Sequence, residues 1–487
     1  MLRQAQRFVS FALPGLLLFA APSGAAGATG HPAQAPVFRP FAALHRSGIR
    51  RPDANDSLLY SFGQVSGTYD PVAKLVADGS GALYGTTLNG GSQVGECAEL
   101  SGFNGYGCGG VFKLTPNGSG GFSESLIYTF QGGADGAAPY AELYVDSSGA
   151  LYGTTAEGGS GTCLYGGTDY GCGTVFKLTP DSSGTYTESV IYAFQGGTDG
   201  AYPSAGLVAD SLGALYGTTQ NGGDSSSNGT VFKLSPKKKG YAEKVLHRFG
   251  GCSTSSAPCD GAIPWATLYL SPSGALFGTT LYGGSHQCAD GNLCGTVFRM
   301  MPGSDGKRYG EKVIYNFQGG TDGEGPQGAV TGDASGAIYG TTSYGGGANW
   351  KQCNDGSIIR GCGVVFKLKP RGKRYTESVL YAFQGGLDAA VPQAGVIFDS
   401  NGNLDGTTYF GGETASNGSG GCGTLFQLAV SSSSYTESVL YRFQGCRASS
   451  IDSAFPSSGL IEENGVLYGT TTKGGRFGAG SVFSFPD

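Results

Sequence analysis

Residues 141–194 read AELYVDSSGALYGTTAEGGSGTCLYGGTDYGCGTVFKLTPDSSGTYTESVIYAF, and the fold is decided inside this stretch. Four apolar segments stand out: AELYV (141–145), ALYGTT (150–155), GTVFKL (173–178) and ESVIYAF (188–194). They are short, rich in Val, Tyr, Phe and Thr, and parted by turn residues such as Asp146-Ser-Ser-Gly149 and Pro180-Asp-Ser-Ser-Gly184, which marks them as β-strands. The tripeptide Gly-Thr-Thr returns with its Gly at 85, 153, 217, 278, 340, 406 and 469, a mean spacing of 64 residues, and the same four segments surround each copy. Seven copies of a four-stranded unit predict an all-β, seven-bladed β-propeller with antiparallel blades.

The two ends of the repeat array fix how the ring closes. Asp56 to Phe62 (DSLLYSF) matches the fourth segment of a repeat, whereas Leu460, Val466 to Thr471 and Ser481 to Phe485 supply only the first three segments of the last one. Addition of Ser57 to Phe62 to the last blade closes the ring and removes the open edges that a solenoid would have to cap. Within each repeat, the Gly of Gly-Thr-Thr is expected to admit aromatic rings of the neighbouring blade. Lys113, Lys177, Lys233, Arg299 and Lys367 are expected to pair across the outer hairpin with Glu124, Glu188, Glu243, Glu311 and Glu377.

Glycine makes up 90 of the 487 residues, far above its usual share, and opposes a mainly helical fold. Hydrophobic residues at 39% and aromatics at 11% supply a core. Charged residues are only 14% and the net charge is −6, which argues against a nucleic-acid partner. The start of the chain has a secretory pattern: Arg3 and Arg7, an apolar run from Phe8 to Ala21, then Ala26-Gly27-Ala28. That run is too short for a spanning helix. The expected layout is a signal peptide at 1–28, a flexible linker at 29–55 and one propeller domain at 56–487, in a secreted or periplasmic monomer with no membrane span.

Twelve cysteines suit that compartment, and no Cys-x-x-Cys pair points to zinc. Local spacing pairs Cys97 with Cys108, Cys163 with Cys172, Cys252 with Cys259, Cys288 with Cys294, and Cys353 with Cys362. Cys422 and Cys446 remain, at facing ends of two neighbouring strands. Antiparallel alternation puts the loops between second and third strands on the same face as the inter-blade loops. These second-to-third loops vary most in length, and variable inserts on a rigid scaffold are where function is expected.

Candidate chemistry lies on that face. Each repeat has one inter-blade aspartate: Asp70, Asp135, Asp199, Asp260, Asp322, Asp388 and Asp452. They form either an axial ring able to hold a cation or turn residues bonded to nearby backbone N–H groups, a reading favoured by the Asp-Gly pairs. Phe103, Tyr106, Tyr165, Tyr170 and Trp350 in the inserts, with Trp265 before an innermost strand, either stack on a ligand or pack the loops down. His286 is the one acid–base candidate among the histidines, because His247 takes a slot filled by Tyr in other repeats and reads as a packing substitute. Glu96, Glu99, Glu157, Asp169, Glu324 and Asp355 are rim carboxylates, though nothing singles out a catalytic pair. Asp405 replaces the aromatic that precedes Gly-Thr-Thr elsewhere. No nucleophile elbow, phosphate loop, metal site or cofactor motif is visible.

The composite Leu-Tyr-x-Phe-Gln-Gly-Gly, Asp-Gly, Pro, Leu-Tyr-Gly-Thr-Thr, Gly-Gly and Gly-Thr-Val-Phe-Lys-Leu resembles the GloVer tandem repeat of exported bacterial proteins over residues from about 56 to 487. The resemblance implies export and repeated β structure but no particular activity. Family members often carry a C-terminal surface anchor or sorting segment, whereas Ser484-Phe-Pro-Asp487 directly follows a strand, which favours release or periplasmic residence. The function expected from these features is that of a binding module for glycan or protein through the stiffened loop face. The alternative is a polysaccharide lyase or glycoside hydrolase using rim carboxylates.

Overall fold

A computed structural model describes residues 57–486 apart from 64–66, 92–96, 98–106, 119–120, 166, 251, 253–257, 304–307, 349–352, 356–357, 413–419, 432–433 and 448–449. Seven four-stranded antiparallel sheets form the seven blades of a propeller. In blade 2 the strands run outward as Tyr144–Val145, Leu151–Thr155, Thr174–Pro180 and Tyr186–Ala193. Blade 7 takes Ile461–Glu462, Val466–Thr471 and Ser481–Pro486 from one end of the chain and Ser57–Ser61 from the other. Ser57 lies opposite Ser484 and Ser61 opposite Ser481, so the predicted closure forms. Among the described residues no helix is long and apolar enough to cross a membrane.

The innermost strands are only two residues long, shorter than the five-residue segment 141–145 suggested. Just before them the chain turns along the axis and lines a central cavity of about 460 Å³, bordered by Lys74, Glu142, Thr267 and Gly395 among others. Lys74 Nζ stands 4.0 Å from Glu142 Oε2 there, and the Gly206 N–H donates to Thr267 Oγ1 at 2.9 Å.

Two devices repeat at all seven blade interfaces and explain the motif. A phenylalanine just after each fourth strand meets the third-strand phenylalanine of the next blade edge to face, as in Phe130 with Phe176 at 5.0 Å and Phe194 with Phe232 at 5.1 Å. Phe62 with Phe112, at 4.9 Å, makes this contact across the closure. Such pairs add about 0.5–1.5 kcal/mol beyond area burial. The first Thr of Gly-Thr-Thr donates its hydroxyl to a backbone carbonyl of the next blade: Thr154 to Ala205 at 3.0 Å, and Thr470 to Ala73 at 3.0 Å across the closure. Because each hydroxyl is buried, it needs that acceptor to avoid a desolvation cost.

Two expectations are corrected here. The Gly of Gly-Thr-Thr makes room for its own blade: a Cβ on Gly153 would lie 2.5 Å from the ring of Phe176, which it faces across the sheet, and 2.9 Å from Leu143. The Lys–Glu pairs across the outer hairpin do not form. Lys177 lies opposite Ser189, and Glu188 lies opposite Leu178, so the two side chains leave opposite faces of the sheet. The same register recurs for Lys113, Lys233, Arg299 and Lys367. Lys177 instead sits over the ring of Tyr152, with Nζ 5.1 Å from its centre.

Candidate functional site

The site is best sought on the face that carries the inserts. Six disulfides tie this face: Cys97–Cys108, Cys163–Cys172, Cys252–Cys259, Cys288–Cys294, Cys353–Cys362 and Cys422–Cys446. A second tie was not legible in the sequence. Each inter-blade loop pairs with the residues that follow Gly-Thr-Thr, as in Thr68–Tyr69 with Asn89–Gly90, Ser453–Ala454 with Lys473–Gly474, and the bridge between Ala137 and Glu157. The next residue of each loop has φ between +56° and +58° at Ala138, Tyr202, Ile263, Val391 and Phe455, and +57° at Asp70, just before a proline. A left-handed backbone at Ile and Val costs free energy, so surrounding pairing must hold it in place.

These loops place a band of tyrosines and charges around the axial mouth. Asp70 accepts from Asn89 Nδ2 at 3.0 Å and from Lys473 Nζ at 2.7 Å. Glu157 is half-buried and adds, after burial, to the raising of the Tyr140 and Tyr202 phenols through its charge, and burial pushes its own carboxyl up to about 7. The Tyr202 phenol is in turn pushed up to about 12, by burial first and then by Glu157 and Asp169. On the side of blades 4 and 5, Glu324 is almost fully buried, and Arg360 donates to it through Nε at 2.7 Å and also through Nη2. The same guanidinium lies 3.2 Å from Asp290 and 3.8 Å over the ring of Tyr344. Burial holds the Glu324 carboxyl above its usual range, opposed by Arg360. Between blades 6 and 7 Tyr409 stacks on Phe455 at 5.0 Å.

The aspartates do not form an axial ring. Asp135 accepts the Tyr128 hydroxyl at 2.6 Å and the Gln131 N–H at 2.6 Å, which aims it at the outermost strand. Asp199, Asp322, Asp388 and Asp452 make the same two bonds with Tyr192, Tyr315, Tyr381 and Tyr441 and the glutamine N–H groups. Asp260 makes them with His247 and the Gly250 N–H. The turn reading therefore fits the geometry, with a Tyr partner that spacing could not reveal.

The other sequence candidates are dispersed. Tyr165 is exposed on a small hairpin, with its ring 6.4 Å from Tyr170, and Asp169 in that hairpin caps the N–H groups of Cys163 and Gly171. His286 is exposed and bonded to Ser285 Oγ at 3.1 Å. Phe103, Tyr106, Trp350, Glu96 and Glu99 lie outside the described residues, as does the side chain of Asp355. Trp265 is half-buried.

Asp405 is fully buried and accepts from Gln427 Nε2 at 3.1 Å. In blade 2 the matching Tyr152 bonds Asp146 and meets Tyr241 of the next blade. The outer strand of the blade beside blade 6 is Ser57–Ser61, from the N-terminal end of the chain.

The family model of the Gloeobacter/Verrucomicrobia repeat matches residues 49–251, 97–353, 160–415 and 351–487. The chain belongs to this family. No curated protein matches the sequence of this Gloeobacter/Verrucomicrobia repeat chain. Among solved structures it is similar to a gluconolactonase of Xanthomonas campestris, at 12% identity and TM-score 0.35 over 64% of this chain and 78% of that one. It is also similar to PorZ, an essential surface component of the type-IX secretion system of Porphyromonas gingivalis, at 13% identity and TM-score 0.47 over 87% of this chain and 47% of that one. A third likeness is to an ulvan lyase of polysaccharide lyase family 25, at 8% identity and TM-score 0.46 over 86% of this chain and 94% of that one.

Proposed function

We propose that the chain is an exported binding module that recognises a glycan through the face built from the second-to-third and inter-blade loops. The observation that carries this reading is the loop face, where the half-buried Tyr140, Tyr202 and Tyr344 stand with the half-buried Asp70 and Glu157 on loops held by disulfides and short strand pairs. Aromatic faces beside fixed hydrogen-bonding groups suit sugar rings, and pre-organised loops lose little entropy on binding. Export through a signal peptide at 1–28, followed by the linker at 29–55, accords with six disulfides.

Glu157 favours a second reading, because a carboxyl lifted to about 7 beside tyrosines has the protonation range of a general acid or base. The alternative is then a lyase or hydrolase on extracellular polysaccharide. A glycan array probed with the purified chain, run beside assays for new reducing and unsaturated ends, tests both. Binding without new ends supports the module, and turnover abolished by Glu157→Gln supports the enzyme. A protein ligand is indicated if the array is blank and an extracellular protein from the same source binds the face.

A further inference from the structure

One blade interface carries a histidine where the other six carry a tyrosine, and this changes its chemistry. Between blades 1 and 2 the outer-strand Tyr128 bonds Asp135, and Glu188 of the next outer strand reaches the same spot. The triad repeats as Tyr192, Asp199 and Glu243, as Tyr315, Asp322 and Glu377, and as Tyr381, Asp388 and Glu437. Burial pushes these phenols well above their usual range, so each keeps its proton and spends it on the aspartate. Between blades 3 and 4 the tyrosine is His247, whose ring keeps the edge-to-face contact with Phe249 at 4.8 Å that the tyrosines make elsewhere. An imidazole can offer a lone pair where a neutral phenol donates a proton.

We propose that His247, Asp260 and Glu311 bind one divalent transition-metal ion of the zinc class, joining the outer edges of blades 3 and 4. One donor atom from each of the three side chains lies within 4.8 Å of the other two, and His247 Nε2 is 3.0 Å from Asp260 Oδ2. Donors bound at about 2.0–2.2 Å to one ion stand roughly 3–4 Å apart, so small side-chain rotations close the set. Asp260 is fixed from behind, since its Oδ1 accepts the Gly250 N–H at 2.8 Å and the preceding residue is cross-linked through Cys252–Cys259. Glu311 brings a buried Oε1 that no hydrogen bond satisfies, as do Glu124, Glu188, Glu243, Glu377 and Glu437 at the equivalent positions, so what sets this interface apart is the imidazole beside it. One imidazole and two carboxylates suit zinc or its neighbours, with water filling the remaining positions. His247 comes from the outer strand of blade 3, Asp260 from the loop between the blades and Glu311 from the outer strand of blade 4, so the ion would act as a staple across one interface.

The test uses the purified full chain, stripped with a chelator and titrated with zinc by competition against a fluorescent chelator, with a thermal melt in parallel. The expected result is one high-affinity site per chain, a melting temperature raised by a few degrees, and an X-ray absorption spectrum with one imidazole among oxygen donors. His247→Tyr restores the residue of the other interfaces, so it should fold as the parent does while losing at least tenfold in affinity and the thermal shift. Glu311→Gln should weaken binding as well. Absence of a site in the parent chain, equal affinity in His247→Tyr, or a spectrum with sulfur or several imidazoles would each overturn the proposal.

Discussion

Replacement of Phe62 by Ala tests the closure of the ring. Phe62 has no exposed surface, and its ring meets Phe112 at 4.9 Å and Tyr60 at 5.0 Å. Removing a buried phenylalanine side chain forfeits roughly 150–200 Å² of burial at about 25 cal/mol per Å², or about 4–5 kcal/mol, in line with the roughly 3–5 kcal/mol typical of Phe→Ala in cores. Phe194→Ala is the internal reference, because Phe194 holds the same place within the continuous chain and its partner Phe232 lies at a matching 5.1 Å. If Ser57–Ser61 is a full member of blade 7, the two variants lose the same stability within about 1 kcal/mol. Equilibrium unfolding in guanidinium, followed by tyrosine fluorescence and far-ultraviolet circular dichroism, measures both. Mass spectrometry after brief proteolysis then shows whether cleavage moves into 57–62. A Phe62→Ala variant within 1 kcal/mol of the parent, beside a Phe194→Ala variant that loses 3 or more, would refute the closure.

Three further outcomes are expected. Gly153→Ala forces a methyl to 2.5 Å from the Phe176 ring and should cost about 1–3 kcal/mol by overpacking, read as a shift of the denaturation midpoint. Thr470→Val deletes the hydroxyl that reaches Ala73 across the closure, and should cost about 1–3 kcal/mol in the same assay, with Thr154→Val as its mid-ring counterpart. Burial lifts Glu188, Glu243, Glu377 and Glu437 to about 7 from the usual 4.5, so the folded chain holds more protons than the unfolded one between those values. Their contribution to stability is therefore complete below about pH 4.5 and is lost as pH rises through 7, and the melting temperature should be higher at pH 5 than at pH 8.

The repeat was legible because alternation and turn residues recur in every copy, and the orphan segment at Ser57 announced its place in the last blade. The Lys–Glu reading failed on parity. The turn at residues 181–185 sets Leu178 against Glu188, and a register different by one residue moves a side chain to the other face. Spacings of 10 to 12 residues leave that parity open. The disulfides were legible where loops are short, and the aspartates were recognisable as turn residues. Their tyrosine partners, the approach of Glu311 to His247 and the burial of Glu157 depend on how one blade meets the next, which the repeat period does not encode. Glu324 was visible as a rim carboxylate, but its clamp by Arg360 spans two loops and carries no local signal.

The proposed recognition through one face of the ring is open to a direct measurement. Affinity for the strongest array-positive glycan should be determined for the parent chain, for Glu157→Gln with Tyr202→Ala, and for Leu212→Ala. Leu212 is 83% exposed at a turn between first and second strands, on the opposite face. At least a tenfold loss is expected for the Glu157 and Tyr202 variant, with unchanged affinity for Leu212→Ala. Unchanged binding in the first together with a loss in the second would contradict it.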